Sequence, residues 1–141
     1  MGPEFIAAPG ADAWQLSNPP ILALAPVRVS LELFAEAGMD ALRVKSLALT
    51  GYLAEALEAC VGDITDIITP AEPQRRGCQL SLRIRAGREA GRALFEHLEA
   101  AGVVADWREP DVIRVAPVPL YNRYQDAWRL VEEIAVWRDR A

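Results

Sequence analysis

The sequence predicts an α+β domain in which a small, mostly antiparallel sheet of about four strands packs with helices. Two observations lead to this prediction. Short segments with strand-like alternation or β-branched content recur along the chain, and longer segments with apolar residues at helical spacing separate them. The predicted order is two helical segments, two strands, a helix, two strands and a final helix. The 141 residues are enough for one such domain and its hydrophobic core.

The first 20 residues are rich in Pro, Gly and Ala, and their apolar residues follow neither the helical spacing nor the alternation of a strand. This composition predicts an extended segment. Pro19 and Pro20 stiffen its end, because a proline forces the preceding residue out of the α region. Ser17 and Asn18 lie on this stiff backbone and offer hydroxyl and amide groups that can bind an anion such as a phosphate. A polar turn without a function explains the same residues.

Apolar residues at helical spacing continue from about residue 26 to residue 60, which predicts two consecutive helices. Gly38 interrupts the pattern between them. The second helix, over about 39–60, is rich in Ala and Leu, and Gly62 lies just past its end, where glycine is favoured.

Four short segments have the alternation or the β-branched content of strands. They are residues 64–69, 78–85, 103–107 and 112–116. In the second segment Leu80, Leu82 and Ile84 share one face, which predicts a half-buried strand. The turn residues 109–111 join the last two segments.

Two further helices are predicted, over 88–101 and over about 123–139. The first presents an apolar stripe of Leu94, Phe95 and Leu98 and stops at Gly102. In the second, Asn122 is the expected N-cap and Gln125 its capping-box partner. The side chains expected to be buried in this last helix are Trp128, Val131, Ile134 and Ala135.

Composition and charge exclude several classes of protein. The chain is 52% hydrophobic and 25% charged, as in ordinary globular domains. A net charge of −5 argues against a nucleic-acid partner, which needs clustered basic charge. No apolar run approaches the roughly 18 residues of a membrane-spanning helix, and we expect neither a membrane partner nor a secretory signal.

The sequence contains few residues suited to catalysis. His97 is the only histidine and Lys45 the only lysine, and both are predicted on solvated helix surfaces. Cys60 and Cys78 are spaced unlike any metal motif and are expected to be reduced and half-buried, so no metal site is predicted. Phosphate-loop, nucleophile-elbow and zinc-protease motifs do not occur.

Arg114 lies in a strand that is otherwise apolar. An arginine at the end of a strand can hold a substrate carboxylate with its planar fork of donors. The residue is equally well explained as the polar member of an alternating edge strand. Arg75 and Arg76 precede the second strand, and there we favour a solvated basic turn.

Four separated stretches resemble the C-terminal part of kynureninases, which are pyridoxal-phosphate (PLP) enzymes of the aspartate-aminotransferase fold type I. They are residues 14–21 (with SNPPI), 47–53, 76–81 (RGCQLS) and 113–122 (IRVAPVPLYN). A fifth, Gly102–Val104 followed by Asp106 and Arg108, fits between them. Order and spacing match over nearly the whole chain.

This resemblance implies the activity of the parent protein. Kynureninases hydrolyse L-kynurenine, or 3-hydroxykynurenine, to anthranilate, or 3-hydroxyanthranilate, and L-alanine. The reaction belongs to tryptophan catabolism and, in some organisms, to NAD synthesis. PLP serves as the electron sink. The family implies a cytoplasmic homodimer whose active site lies at the subunit interface.

The resemblance also assigns site residues. Asn18, with Ser17 beside it, matches the asparagine that reaches the cofactor phosphate and the substrate pocket. Arg114 matches the arginine that holds the substrate α-carboxylate. The family's Schiff-base lysine lies upstream of the matching segment, and Lys45 does not match it.

The predicted organisation is therefore an extended lead-in from a large domain over 1–25 and a C-terminal small α+β domain over 26–141. We expect this chain alone to contain no catalytic residue, to bind PLP weakly and to be inactive. A non-enzymatic ligand-binding or protein-interaction module that reuses the domain is the alternative. A small independent enzyme that uses His97 or Lys45 is the least favoured hypothesis.

Overall fold

A computed structural model of the chain describes residue 4, residues 6–15 and residues 17–140. The chain divides into two compact units, Met1–Glu36 and Ala37–Ala141, which are described separately. This division lies further along the chain than the predicted boundary at residue 25. The interpretation of residues 1–25 as a lead-in from another domain stays a prediction, and it falls partly on residues 1–3, 5 and 16, outside the described residues.

The first unit contains more helix than the sequence predicted. Gly10–Trp14 form a 3₁₀ turn, and helix α1 spans Ile21–Ala37. The expectation of an extended backbone is therefore wrong for residues 10–14 and 21–25. The carbonyl of Pro20 accepts hydrogen bonds from the N–H groups of Ala23 and Leu24, at 2.9 and 3.0 Å, in the first turn of α1. Pro26 removes only one donor from a segment rich in Leu and Ala, which are strong helix formers, and the helix continues through it.

The second unit confirms the predicted α+β class and the predicted order of elements. Its helices are α2 (Met39–Val61), α3 (Arg88–Ala100) and α4 (Tyr124–Arg138), and its strands are β1 (Thr65–Ile67), β2 (Leu80–Ile84), β3 (Asp106–Arg108) and β4 (Val112–Val115). The four strands form one antiparallel sheet in the spatial order β1-β2-β4-β3. β4 is therefore an interior strand, so the alternative explanation of Arg114 as the polar member of an edge strand is wrong.

Helices α2, α3 and α4 cover one face of this sheet with an apolar core. The predicted stripes of β2 and α3 are buried there, as the alternation and the helical spacing required. Fully buried members of the core include Leu49, Leu53, Leu57, Leu80, Leu82, Leu94, Leu98, Ile113, Val131 and Ile134. The opposite face of the sheet carries most of the polar strand residues, namely Asp66, Ser81, Arg83, Asp106, Arg108 and Arg114.

Helix α4 begins differently from the prediction. Arg123, not Asn122, is the N-cap, and Asp126 replaces Gln125 by accepting a hydrogen bond from the Arg123 N–H at 2.8 Å. This bond lowers the pKa of Asp126 below its ordinary value. Asn122 is not free to cap, because its Oδ1 accepts a bond from the Val118 N–H at 2.8 Å.

The buried side of α4 was predicted only in part. Val131 and Ile134 are buried as expected, but Trp128 is exposed and Ala135 is half-buried. Ala127 and Leu130 take their places in the core, because the helix faces the core one position away from the predicted stripe.

Gly102 ends α3 with a left-handed backbone, φ +76°, while the Val103 N–H bonds to the carbonyl of Leu98 at 2.9 Å. We expect Gly102→Ala to lower the free energy of unfolding by about 1–2 kcal/mol, because L side chains disfavour this conformation. Gly51→Ala is the matched control. Its Cβ meets nothing within 4 Å in α2, so it should raise the free energy by about 0.5–1 kcal/mol. Urea unfolding measures the free energy of unfolding of both variants. Equal effects would contradict the left-handed backbone at Gly102.

Candidate functional site

Polar side chains occupy the face of the sheet that the helices leave open. Directly opposed residues on neighbouring strands point to the same side, and Arg114 on β4 lies opposite Ser81 on β2 and Asp106 on β3. Arg108 lies two residues beyond Asp106 and therefore on the same face. The antiparallel register thus brings Arg114, Asp106 and Arg108 together.

The guanidinium of Arg114 is held by Asp106. Its Nε donates a hydrogen bond to Asp106 Oδ2 at 2.6 Å, and its Nη2 contacts the same oxygen. The Nε of Arg108 also lies 2.9 Å from this Oδ2. One carboxylate oxygen therefore collects donors from two arginines. The Arg114 side chain is 32% exposed, so the group is open to a ligand.

The charges of this cluster do not cancel. Two guanidinium groups and one carboxylate leave one positive charge on the open face of the sheet. The hydrogen bond from Arg114, together with the charge of Arg108, lowers the pKa of Asp106 below its ordinary 3.8. Because the folded pKa is lowered, the ion pair stabilises the fold at neutral pH and is lost only as the pH falls through that lowered value.

The other ion pairs on this face are one-to-one. Arg83 pairs with Asp111 at 2.9 Å, and Arg85 pairs with Asp66 at 2.9 Å. Each of these pairs is neutral overall. The Arg114 cluster therefore differs from them in its excess positive charge, which favours an anionic ligand.

Ser17 and Asn18 lie in the first unit, in an exposed bend just before α1. The carbonyl of Ser17 accepts a hydrogen bond from the Gln15 side chain at 3.0 Å. The predicted site residues therefore belong to two units, with Ser17 and Asn18 in one and Arg114 in the other.

The residues set aside as catalytic candidates have ordinary surroundings. Lys45 is exposed on α2, as predicted. His97 is not a solvated surface residue, because its Nε2 lies 3.2 Å from Glu133 Oε2 of α4 and only 20% of its side chain is exposed. Arg75 is exposed in a turn beside Glu72, which agrees with the favoured basic turn.

A cavity of about 490 Å³ lies beside this sheet, between the end of β4 and the start of α4. Val104, Pro117, Tyr121 and Asn122 are among its lining residues, but Arg114 is not. The cavity and the arginine cluster are therefore separate features of the second unit.

Sequence reasoning left Asp106 and Arg108 out of the site. The signal that identifies them is the hairpin: a turn over 109–111 pairs residue 108 with 112 and residue 106 with 114. Among the described residues, no helix is both long enough and apolar enough to cross a membrane.

Comparison with known proteins agrees with this description. Residues 42–134 match the family model of the kynureninase C-terminal domain. Kynureninases from Stenotrophomonas maltophilia, Xanthomonas euvesicatoria and Xanthomonas axonopodis are 66%, 64% and 63% identical to the chain over 137 residues. These matches cover 97% of the chain but 32% of each relative, so the chain spans about a third of their length. Since the family model matches most of the chain, the chain belongs to the kynureninase C-terminal domain family.

Proposed function

We propose that the chain is the C-terminal domain of a kynureninase that hydrolyses L-kynurenine, or 3-hydroxykynurenine, to the corresponding anthranilate and L-alanine. The observation that carries this proposal is the Arg114 cluster, an open guanidinium with one excess positive charge on a rigid interior strand. Membership of the kynureninase C-terminal domain family supports it.

Arg114 is the residue that binds the α-carboxylate of the substrate in this proposal. Planar N–H donors match a carboxylate in two parallel hydrogen bonds, which fix orientation as well as position. The interior strand β4 has neighbours on both sides, so its backbone is held by two ladders of hydrogen bonds. A carboxylate bound there holds the rest of the amino acid in one orientation.

Ser17 and Asn18 are proposed to contact the cofactor phosphate, and Asn18 also the substrate. Their hydroxyl and amide groups are suitable donors, and both residues are exposed. The segment that carries them ends at Pro20, directly before the N-terminus of α1, and a helix N-terminus favours an anion. The described residues thus fit two contacts at the edge of a PLP site.

They do not fit the covalent attachment of PLP. The only lysine, Lys45, is exposed in the middle of α2. In the full-length protein PLP supplies an electron sink, and this chain supplies the carboxylate contact and two polar donors. The proposed parent is a cytoplasmic homodimer whose Schiff-base lysine comes from outside the present sequence.

We therefore expect the 141-residue chain alone to be inactive. Added PLP should not acquire the visible absorbance of a lysine adduct, and L-kynurenine should yield no anthranilate. Absorbance titration with PLP detects the adduct, and fluorescence detects the anthranilate. Lys45→Ala is the control, and an adduct that forms in the wild-type chain and disappears in this variant would contradict the proposal.

A hybrid enzyme tests the activity itself. In this hybrid, the chain replaces the matching segment of the Stenotrophomonas maltophilia kynureninase, which is 66% identical. The proposal expects turnover of L-kynurenine by the hybrid. A folded hybrid that binds PLP but does not turn over would favour the alternative of a ligand-binding or protein-interaction module.

A further inference from the structure

We propose that Asp106 is a positioning residue for the substrate carboxylate, and that Arg108 keeps the Arg114 cluster positively charged. This inference rests on the proposed role of Arg114 as the carboxylate-binding residue. It assigns individual roles to Asp106 and Arg108, which enter that proposal only through the net charge of the cluster.

Asp106 contacts only one edge of the Arg114 guanidinium. Nε and Nη2 of Arg114 lie on the same side of the planar group, and both meet Oδ2 of Asp106. The end of the fork, formed by Nη1 and the second N–H of Nη2, has no hydrogen-bond partner among the described residues. Asp106 therefore orients the guanidinium from the side and leaves its end open to a carboxylate.

The second step is the rigidity of this arrangement. Asp106 and Arg114 are opposed in the register of β3 and β4, so the ladder sets the distance between their backbones. A free arginine side chain has many rotamers, and ordering it on ligand binding costs about 0.5–1.5 kcal/mol. Because Asp106 already holds the fork, this ordering cost falls on folding and not on substrate binding.

The third step is charge. A carboxylate next to Arg114 would by itself neutralise it and weaken the attraction for a second carboxylate. Arg108 brings its Nε to 2.9 Å from the same oxygen and restores one positive charge. The cluster of two arginines and one aspartate is therefore matched to one carboxylate.

Orientation and charge predict opposite effects of removing Asp106. If the carboxylate only neutralised Arg114, Asp106→Ala would strengthen substrate binding. If Asp106 positions Arg114, the same change weakens binding although it removes a negative charge. The sign of the change in KM for L-kynurenine therefore decides between the two.

In the hybrid enzyme, we expect Asp106→Ala to raise the KM for L-kynurenine about five- to tenfold, the equivalent of ordering one long side chain. Asp106→Asn keeps an oxygen at the same place and should restore a KM near that of the unsubstituted hybrid. Arg108→Gln should also raise KM, because Asp106 then neutralises Arg114. The inhibition constant of kynuramine, which lacks the α-carboxylate, should not change in any of these variants.

The overturning results are a KM that falls or stays constant in Asp106→Ala, or a kynuramine inhibition constant that rises in parallel with KM. A parallel rise would show a structural role.

An unsubstituted hybrid without turnover would count against the proposed function. NMR on the isolated chain then tests whether Asp106 holds the Arg114 guanidinium. The Nε–Hε proton of Arg114 should exchange more slowly than that of the exposed Arg123 and lose this protection in Asp106→Ala. Equal exchange in the unsubstituted chain overturns the inference.

Discussion

Replacing Arg114 with glutamine in the hybrid enzyme is expected to lower kcat/KM for L-kynurenine by about 100-fold or more, the equivalent of two charge-assisted hydrogen bonds. Glutamine keeps a polar side chain of similar reach but offers no charge and no fork. Arg114→Lys should recover only part of the loss, because an ammonium group is a point charge that cannot bind a carboxylate in two parallel bonds.

Arg83→Gln is the matched control for this experiment. Arg83 lies on the same face of the sheet, on the neighbouring strand β2, but its charge is balanced by Asp111 at 2.9 Å. Its removal should leave kcat/KM within about threefold, because this pair is neutral and separate from the Arg114 cluster, and ion pairs near the surface contribute little. Steady-state kinetics on both variants measure the difference. Comparable losses in the two variants would mean that the whole face, and not Arg114, acts on the substrate.

Truncation of the core is the second large effect. Leu49 is completely buried in α2, and Leu49→Ala is expected to lower the free energy of unfolding of the chain by about 2–5 kcal/mol, through lost transfer energy and a cavity. This is a large fraction of the 5–15 kcal/mol that holds a typical domain together.

Leu47→Ala makes the same chemical change two residues away in the same helix. Leu47 is 37% exposed, so its truncation opens no cavity and should cost under about 1 kcal/mol. Urea unfolding followed by circular dichroism gives both values. Equal losses would contradict the description of α2 as a helix with one buried side.

The helices and strands of the second unit were predictable because the sequence patterns that indicate them are local. Alternation in β2 and the apolar stripe of α3 depend only on residues a few positions apart, and both are buried as predicted. The predicted third strand began too early, at residue 103, because Val103 is used to close the end of α3. Strand β3 starts where pairing with β4 becomes possible, at Asp106.

The site was predictable only in part. Arg114 was found because a charged residue stands out in an apolar strand. Its partner Asp106 required the hairpin register, which places residues eight positions apart side by side. The contact between His97 and Glu133 joins residues 36 positions apart on two helices, so no local sequence pattern predicts it.

Helix α1 exposes large apolar side chains. None of its described side chains is buried, yet Leu22 is 88% exposed, Leu31 is 64% exposed and Val29 is 56% exposed. Because burying apolar surface is favourable in water, these side chains favour contact with another apolar surface.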